Sequence, residues 1–239
     1  MPIINADVKG LEVVVAAELS GDKILSKEIN DKEDIHGNNQ KAFKLPSRLI
    51  AKVFKFRLIY GGSAYSYAND PDFTDVSTSQ KYWQKVIDAY YEKYNGIKKW
   101  HEQIIHTAKI DGGLSIPSGR YFPFQPLIID GAPKWPETRI KNYPVQGFGA
   151  DLVKLGRIDY LRRLRSSGLL AQFMSTIHDS LKTDCPRGNV HAVARMKYEA
   201  IEAIPRLCKE IYGYDFKLPL TSELQIGPNC RDMVDLVDF

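Results

Sequence analysis

Residues 47–62 read SRLIAKVFKFRLIYGG. Pro46 and Ser47 suit the opening of a helix, and Gly61-Gly62 suits its end. Within it, Arg48, Lys52, Phe56 and Tyr60 recur at four-residue intervals. At roughly 100° per residue they share one face and drift by about 120° along it. Ile50, Phe54 and Leu58 form the opposite ridge, the expected buried anchor. Two cations followed by two aromatics on an exposed face suit a triphosphate at one end and a base and sugar at the other. A solvated cationic face carrying two core aromatics satisfies the same spacing equally well.

Toward the N-terminus, residues 34–43 read as a helix capped by Asp34, and residues 11–19 as an apolar helix stopped by Ser20-Gly21. Residues 3–7 form a short strand before it. Toward the C-terminus, residues 79–109 carry one long helical pattern, kinked at Asn95-Gly96. Residues 112–124 read as a hairpin turning at Pro117-Ser118-Gly119, and residues 130–136 as a loop. A helix is expected over 145–165, then two strands, 169–177 and 181–184, around the turn His178-Asp179-Ser180. A helix over 190–212 and a strand over 219–226 complete the chain. Strands at both ends and helices between predict an α+β fold in which a helical block is inserted into one sheet. That sheet would bring Asp7 and Asp179 together from 172 positions apart.

Composition is that of a globular chain. The 239 residues are 44% hydrophobic and 26% charged, and the 17 Gly and 13 Pro are scattered, which excludes disordered, collagenous and low-complexity classes. The longest apolar stretch, residues 13–17, is far short of the roughly 20 residues that span a bilayer. The opening MPIINADVKG lacks the features of an export signal, so a cytoplasmic location is expected. Cys185, Cys208 and Cys230, an odd count without CxxC spacing, read as reduced thiols. Thirty-three Lys and Arg against 29 Asp and Glu give only +4, yet the basic residues cluster. Residues 41–57 hold six cations and no acid, interleaved with Phe54 and Phe56; residues 154–165 hold Lys154, Arg157, Arg162, Arg163 and Arg165 with one acid, Asp159. Such blocks are solvated faces or polyanion contacts.

Asp7 and Asp179 are the first chemical candidates. Singly, each reads as a helix cap or a turn residue. Together, at about 4 Å, two carboxylates repel by roughly 4 kcal/mol at an effective dielectric of 20, so the pair calls for a proton or a cation. Magnesium suits a site where phosphate supplies further oxygens.

Read in order, these motifs resemble the polymerase domain of family A DNA polymerases, the group of bacterial DNA polymerase I and phage replicases. Ala6 to Glu12 (ADVKGLE) resembles motif A, and Asp34-Ile35-His36 the segment that introduces the fingers. Arg48, Lys52, Phe56, Tyr60 and Gly61 match the fingers-helix pattern R-x3-K-x3-F-x3-Y-G. Asn142 to Gly147 (NYPVQG), followed by Ala150-Asp151, resembles the helix that touches the primer-template minor groove. Ile177-His178-Asp179 resembles motif C, and Pro219, Glu223 and Gly227-Pro228-Asn229 the closing strand.

The resemblance implies an antiparallel palm sheet with packed helices and an inserted helical fingers subdomain: palm over 1–22, fingers over 23–137, palm again over 138–239. It implies DNA synthesis from dNTPs by a two-metal mechanism, with Asp7 and Asp179 as ligands of two Mg2+ ions. Arg48, His36 and Lys52 would grip the triphosphate, and Lys52 would protonate the leaving group. Phe56 and Tyr60 would close over sugar and base, and Glu12, hydrogen-bonded to Tyr60, would exclude a ribose 2′ hydroxyl. Asn142, Gln146 and His178 would contact DNA. A Phe at position 56 further implies discrimination against dideoxynucleotides.

Departures from the family pattern are Val14 in place of an Arg, Arg57 in place of a Gly, Ser180 in place of a Glu, and Arg139 one place from the usual Arg. The alternatives are a single-subunit RNA polymerase, against which Glu12 and the Phe56 helix argue, and a non-catalytic DNA-binding remnant, against which the joint retention of Asp7, Lys52, Tyr60 and Asp179 argues. With six residues ahead of Asp7, thumb and exonuclease-like domain are expected to be absent, and a truncated piece or a split polymerase is expected, in a bacterial or phage-infected cell, with primer-template DNA, dNTPs and a separate N-terminal polypeptide as partners.

Overall fold

The structure, a computed structural model, describes residues 1–237 and 239. In chain order its first half comprises β1 (Ile3–Val8), α1 (Leu11–Ser20), α2 (Lys23–Asn30), α3 (Ile35–Ala42), α4 (Arg48–Ile59), α5 (Ala64–Ala68), α6 (Pro71–Thr74), α7 (Gln80–Lys93) and α8 (Asn95–Asp111). Four short strands follow: β2 (Gly113–Ser115), β3 (Tyr121–Pro123), β4 (Leu127–Ile129) and β5 (Ala132–Lys134). Then come α9 (Glu137–Ser167), β6 (Gln172–Ile177), β7 (Ser180–Asp184), α10 (Val190–Glu202), α11 (Ile204–Tyr212), β8 (Ser222–Gly227) and β9 (Val234–Asp235). No helix among the described residues is long and apolar enough to cross a membrane.

The chain forms two compact units, Met1–Glu12 with Gly147–Phe239, and Val13–Gln146. The first is built on a five-stranded sheet of order β6-β7-β1-β8-β9, antiparallel at every pairing. β1 (IINADV) is the central strand, and every one of its residues but the half-buried Asp7 is buried, so both of its faces are covered. Its register sets Asp7 opposite Ser180 on one side and Glu223 on the other. The α+β expectation therefore holds, with the first and last strands in one sheet.

The second unit is helical around an aromatic core. Phe54, Tyr67, Phe73, Trp83 and Tyr90 are fully or almost fully buried. Tyr67 meets Phe54, Phe73 and Trp83 at ring-centroid separations of 5.0, 5.1 and 5.3 Å, and its hydroxyl donates to the Phe54 carbonyl at 2.8 Å. The ridge expected to anchor α4 is the buried one at Phe54 and Leu58, while Ile50 is half-buried.

Several element boundaries differ from those read in the sequence. The pattern over 79–109 is two helices broken at Tyr94. The buried Asp22 carboxylate explains the break: one oxygen caps α2 through the amides of Ile24 and Leu25, and the other accepts from Gly96 at 2.7 Å and Ile97 at 3.3 Å in the first turn of α8. A Cβ on Gly96 would lie 2.6 Å from the Asp22 Cα, so only glycine allows this double cap. Residues 130–136 are not a loop: Asp130 and Gly131, both at positive φ, turn the β4–β5 hairpin. α9 starts at Glu137 rather than 145 and carries Pro144 within it. The pattern over 190–212 divides at Ala203, where Pro205 near the start of α11 lacks the amide a continuous helix needs. α2, α5 and α6 were not anticipated.

Candidate functional site

In the sheet unit, Asp7 stands near the C-terminal end of β1 and Asp179 in the two-residue turn between β6 and β7. His178 in that turn has φ 53°, and the Ser180 hydroxyl donates to the Ile177 carbonyl at 2.9 Å, so the turn is closed by its own residues. The Val8 amide donates to the Asp179 carbonyl at 3.3 Å, tying the turn to β1. The sheet thereby brings Asp7 and Asp179 into hydrogen-bonding contact. Burial first, then the charge and hydrogen bond of Asp179, then the charges of Glu223 and Glu12, push Asp7 up to about 7. Every one of these influences raises Asp7. Lys9, the nearby cation, pairs with Glu223 at 3.6 Å. Among the described residues no third His, Cys, Asp or Glu completes a metal cluster with the pair. Two half-buried carboxylates in hydrogen-bonding contact are a donor set that fits a hard divalent cation, whose remaining positions water or phosphate would fill. Glu12 lies half-buried in the first turn of α1.

In the helical unit, α4 presents the stripe. Arg48 and Lys52 are exposed, and Phe56 and Tyr60 half-buried. Ser47 caps the helix by accepting from the Ile50 amide at 3.1 Å, and Gly61, at φ 88°, ends it. A Cβ on Gly61 would approach the Thr138 Cα to 3.1 Å, so close packing here requires glycine. The Lys52 amine lies 6.0 Å from the Phe56 ring centroid, and the His36 ring 6.1 Å from it. Arg48 is paired: its guanidinium lies 2.9–3.0 Å from both carboxylate oxygens of Asp34. The hydrogen bond from Arg48, and then that from the Gly37 backbone amide, hold the Asp34 carboxyl down at about 2. His36 is pulled down to about 4, chiefly by burial and then by the charges of Lys55, Arg48 and Lys52, and its buried Nδ1 has no hydrogen-bond partner. Gln146 donates its side-chain amide to the Tyr60 hydroxyl, and Asn142 lies one turn earlier on α9.

Two residues acquire roles that spacing did not show. Arg57 reaches Asp70 and Asp72 on either side of the start of α6 and stacks over Phe73 at 5.0 Å, clamping the end of α4 to α6. Lys55 falls within about 20° of Arg48 around the helix, yet it is fully buried, its amine has no partner, and burial pulls it down to about 7. Its membership of the basic block was visible in the sequence; its burial was not, because that depends on residues of α2, α3 and α7 gathering around it.

The known proteins that this chain resembles include DNA polymerases. The family model of DNA polymerase family A matches residues 1–232. DNA polymerase I of Chloroflexus aurantiacus is 27% identical over 242 residues, covering 98% of this chain and 24% of that protein. The thermostable DNA polymerase I of Thermus aquaticus is 27% identical over 94% of this chain and 26% of its own length. The DNA polymerase of Bacillus phage SP01 is 28% identical over 77% of this chain and 20% of its own. The POL domain of Pol1 from M. smegmatis, solved in complex with DNA primer-template and dNTP, shares the fold at a TM-score of 0.78 and 23% identity, covering 95% of this chain and 39% of that one. The chain belongs to DNA polymerase family A. It spans about a quarter of the length of the two bacterial relatives.

Proposed function

We propose that this chain carries the nucleotidyl-transfer centre of template-directed DNA synthesis, with residues 1–22 and 138–239 as palm and 23–137 as fingers. The observation that carries this reading is the Asp7–Asp179 pair, assembled from opposite ends of the chain and short of positive charge. Asp7 and Asp179 would hold two Mg2+ ions. Bound there, magnesium would ease deprotonation of the primer 3′ hydroxyl and neutralise charge on the triphosphate and leaving pyrophosphate.

The other roles belong to side chains. Lys52, exposed on α4, binds phosphate and protonates the leaving group. His36, neutral at physiological pH, contributes a hydrogen bond rather than a charge. Arg48 exchanges Asp34 for a phosphate, an exchange made easy because solvent screens an exposed ion pair. Phe56 and Tyr60 cover the sugar and base, and Glu12 fills the space of a 2′ hydroxyl, selecting dNTPs. Asn142, Gln146 and His178 contact primer-template DNA, whose minor-groove acceptors lie in nearly the same places in every pair.

The test is primer extension by the purified chain, alone and mixed with a polypeptide carrying the rest of a relative's length, with dNTPs against rNTPs. Incorporation of dNTPs that Asp7→Ala or Asp179→Ala abolishes, with DNA binding kept, supports the reading. Preference for rNTPs would favour an RNA polymerase, and DNA binding without extension in either mixture a non-catalytic remnant.

A further inference from the structure

Lys197, on the face of α10 that packs against the sheet, is fully buried, and among the described residues no carboxylate pairs with it. Its amine instead donates to the Ile4 carbonyl of β1 at 2.7 Å and the Leu181 carbonyl of β7 at 2.6 Å. The Tyr160 ring centroid lies 5.3 Å from the same nitrogen, and the Tyr160 hydroxyl lies 2.8 Å from Thr183 Oγ1 on β7. Ile4 is three residues before Asp7, and Leu181 two residues after Asp179.

We infer that Lys197 is a positioning residue for the Asp7–Asp179 pair, a cross-strand staple that holds the two carboxylates together for a divalent cation. This rests on the reading of that pair as a cation site. The physical need is specific. Like charges at the end of the β1–β7 ladder push the two strands apart, and a slip of one residue, about 3.3 Å, would turn one carboxylate to the other face of the sheet. One nitrogen bonded to both strands opposes either movement, because both carbonyls must stay within reach of it. Burial lowers the proton affinity of Lys197, but a neutral amine still has two N–H groups for two carbonyls, so the staple survives in either form. An apolar residue would fill the same space without burying an amine, and would leave the two carbonyls joined by nothing but the ladder.

The experiment is Mn2+ binding to the whole chain without DNA, read as free-ion signal by electron paramagnetic resonance. Lys197→Met should weaken Mn2+ binding about tenfold, the range for residues that orient metal ligands, and Lys197→Gln, which keeps two N–H donors, should recover most of the loss. Val193→Ala, a truncation at a buried site on the same helix, should lower stability and leave Mn2+ affinity within about twofold. Equal affinity in Lys197→Met and the parent chain would overturn the inference while sparing the cation site. Failure of the parent chain itself to bind Mn2+ would overturn the cation site and this inference with it. Should Lys197→Met not fold, 15N-lysine spectra of the parent chain decide: a Lys197 amine resonance that moves on Mg2+ addition supports the staple, and one that does not move overturns it.

Discussion

At the scale of single residues, the site is governed by which charges have partners. Asp34 occupies Arg48, so Asp34→Asn should free the guanidinium and lower the KM for dNTP by up to about fivefold, the worth of an exposed ion pair. Steady-state primer extension checks this, and a raised KM would count against Arg48 as a phosphate contact. Phe56 sits on the same face of α4 with Lys52 and His36 beside it. Phe56→Tyr is expected to make extension more sensitive to dideoxy terminators, and unchanged sensitivity would break the assignment of α4 as the nucleotide-binding helix.

At the scale of elements, α4 is held by an aromatic core on one side and a strained polar cluster on the other. Lys55 lies buried among Glu28 on α2, Asp34 and His36 at α3, Lys52 on its own helix and Lys93 on α7. Its pKa falls from 10.5 to about 7 in the fold, so between those values the unfolded chain carries the extra proton and stability rises with pH. Lys55→Met should remove that slope and, near neutral pH, stabilise the unit by about 1–3 kcal/mol, since an unpaired buried amine is replaced by an apolar side chain. Urea denaturation at several pH values measures both. Arg57, by contrast, is satisfied by two carboxylates and an aromatic face, and Arg57→Gly should destabilise the α4–α6 contact by about 1–2 kcal/mol.

At the scale of the molecule, the two compact units should respond to pH with opposite sign. His36 and His101 in the helical unit are held by burial at about 4 and about 3, below the ordinary 6.5. Between about pH 4 and 6.5 the unfolded chain binds protons that the folded unit refuses, so this unit gains stability as pH rises, by about 1 kcal/mol per pH unit for each histidine. Asp7 in the sheet unit is raised from 3.8 to about 7, so its protonated form favours the fold at low pH and that contribution is lost as pH rises toward 7. Hydrogen exchange in the presence of a chelator should show amide protection rising with pH in residues 13–146 and falling in the strands. Trp83, Trp100 and Trp135 all belong to the helical unit, so tryptophan fluorescence follows that unit alone.

Much of this was legible in the sequence, because it depends on local rules. The four-residue stripe on α4, the caps at Ser47 and Gly61, the strand at the N-terminus and a turn around His178-Asp179 follow from periodicity and turn chemistry, although the turn read as three residues is two, Ser180 opening β7. Asp130-Gly131 is an equally local signal, a hairpin dipeptide whose two positive φ angles turn β4 into β5. Other features depend on contacts between residues far apart in the chain. The Asp22 carboxylate breaks the 79–109 helix by capping residues more than 70 positions away, Asp34 pairs with Arg48, and Lys55 is buried among residues of α2, α3 and α7. Lys197 joins two strands whose acceptors lie 193 and 16 positions from it. The sequence by itself determined the α+β order of elements and the candidate residues, since both follow from side-chain type and spacing. Only the tertiary structure decided which of those residues are paired, buried or stapled, because desolvation and charge pairing act through space and leave no period in the chain.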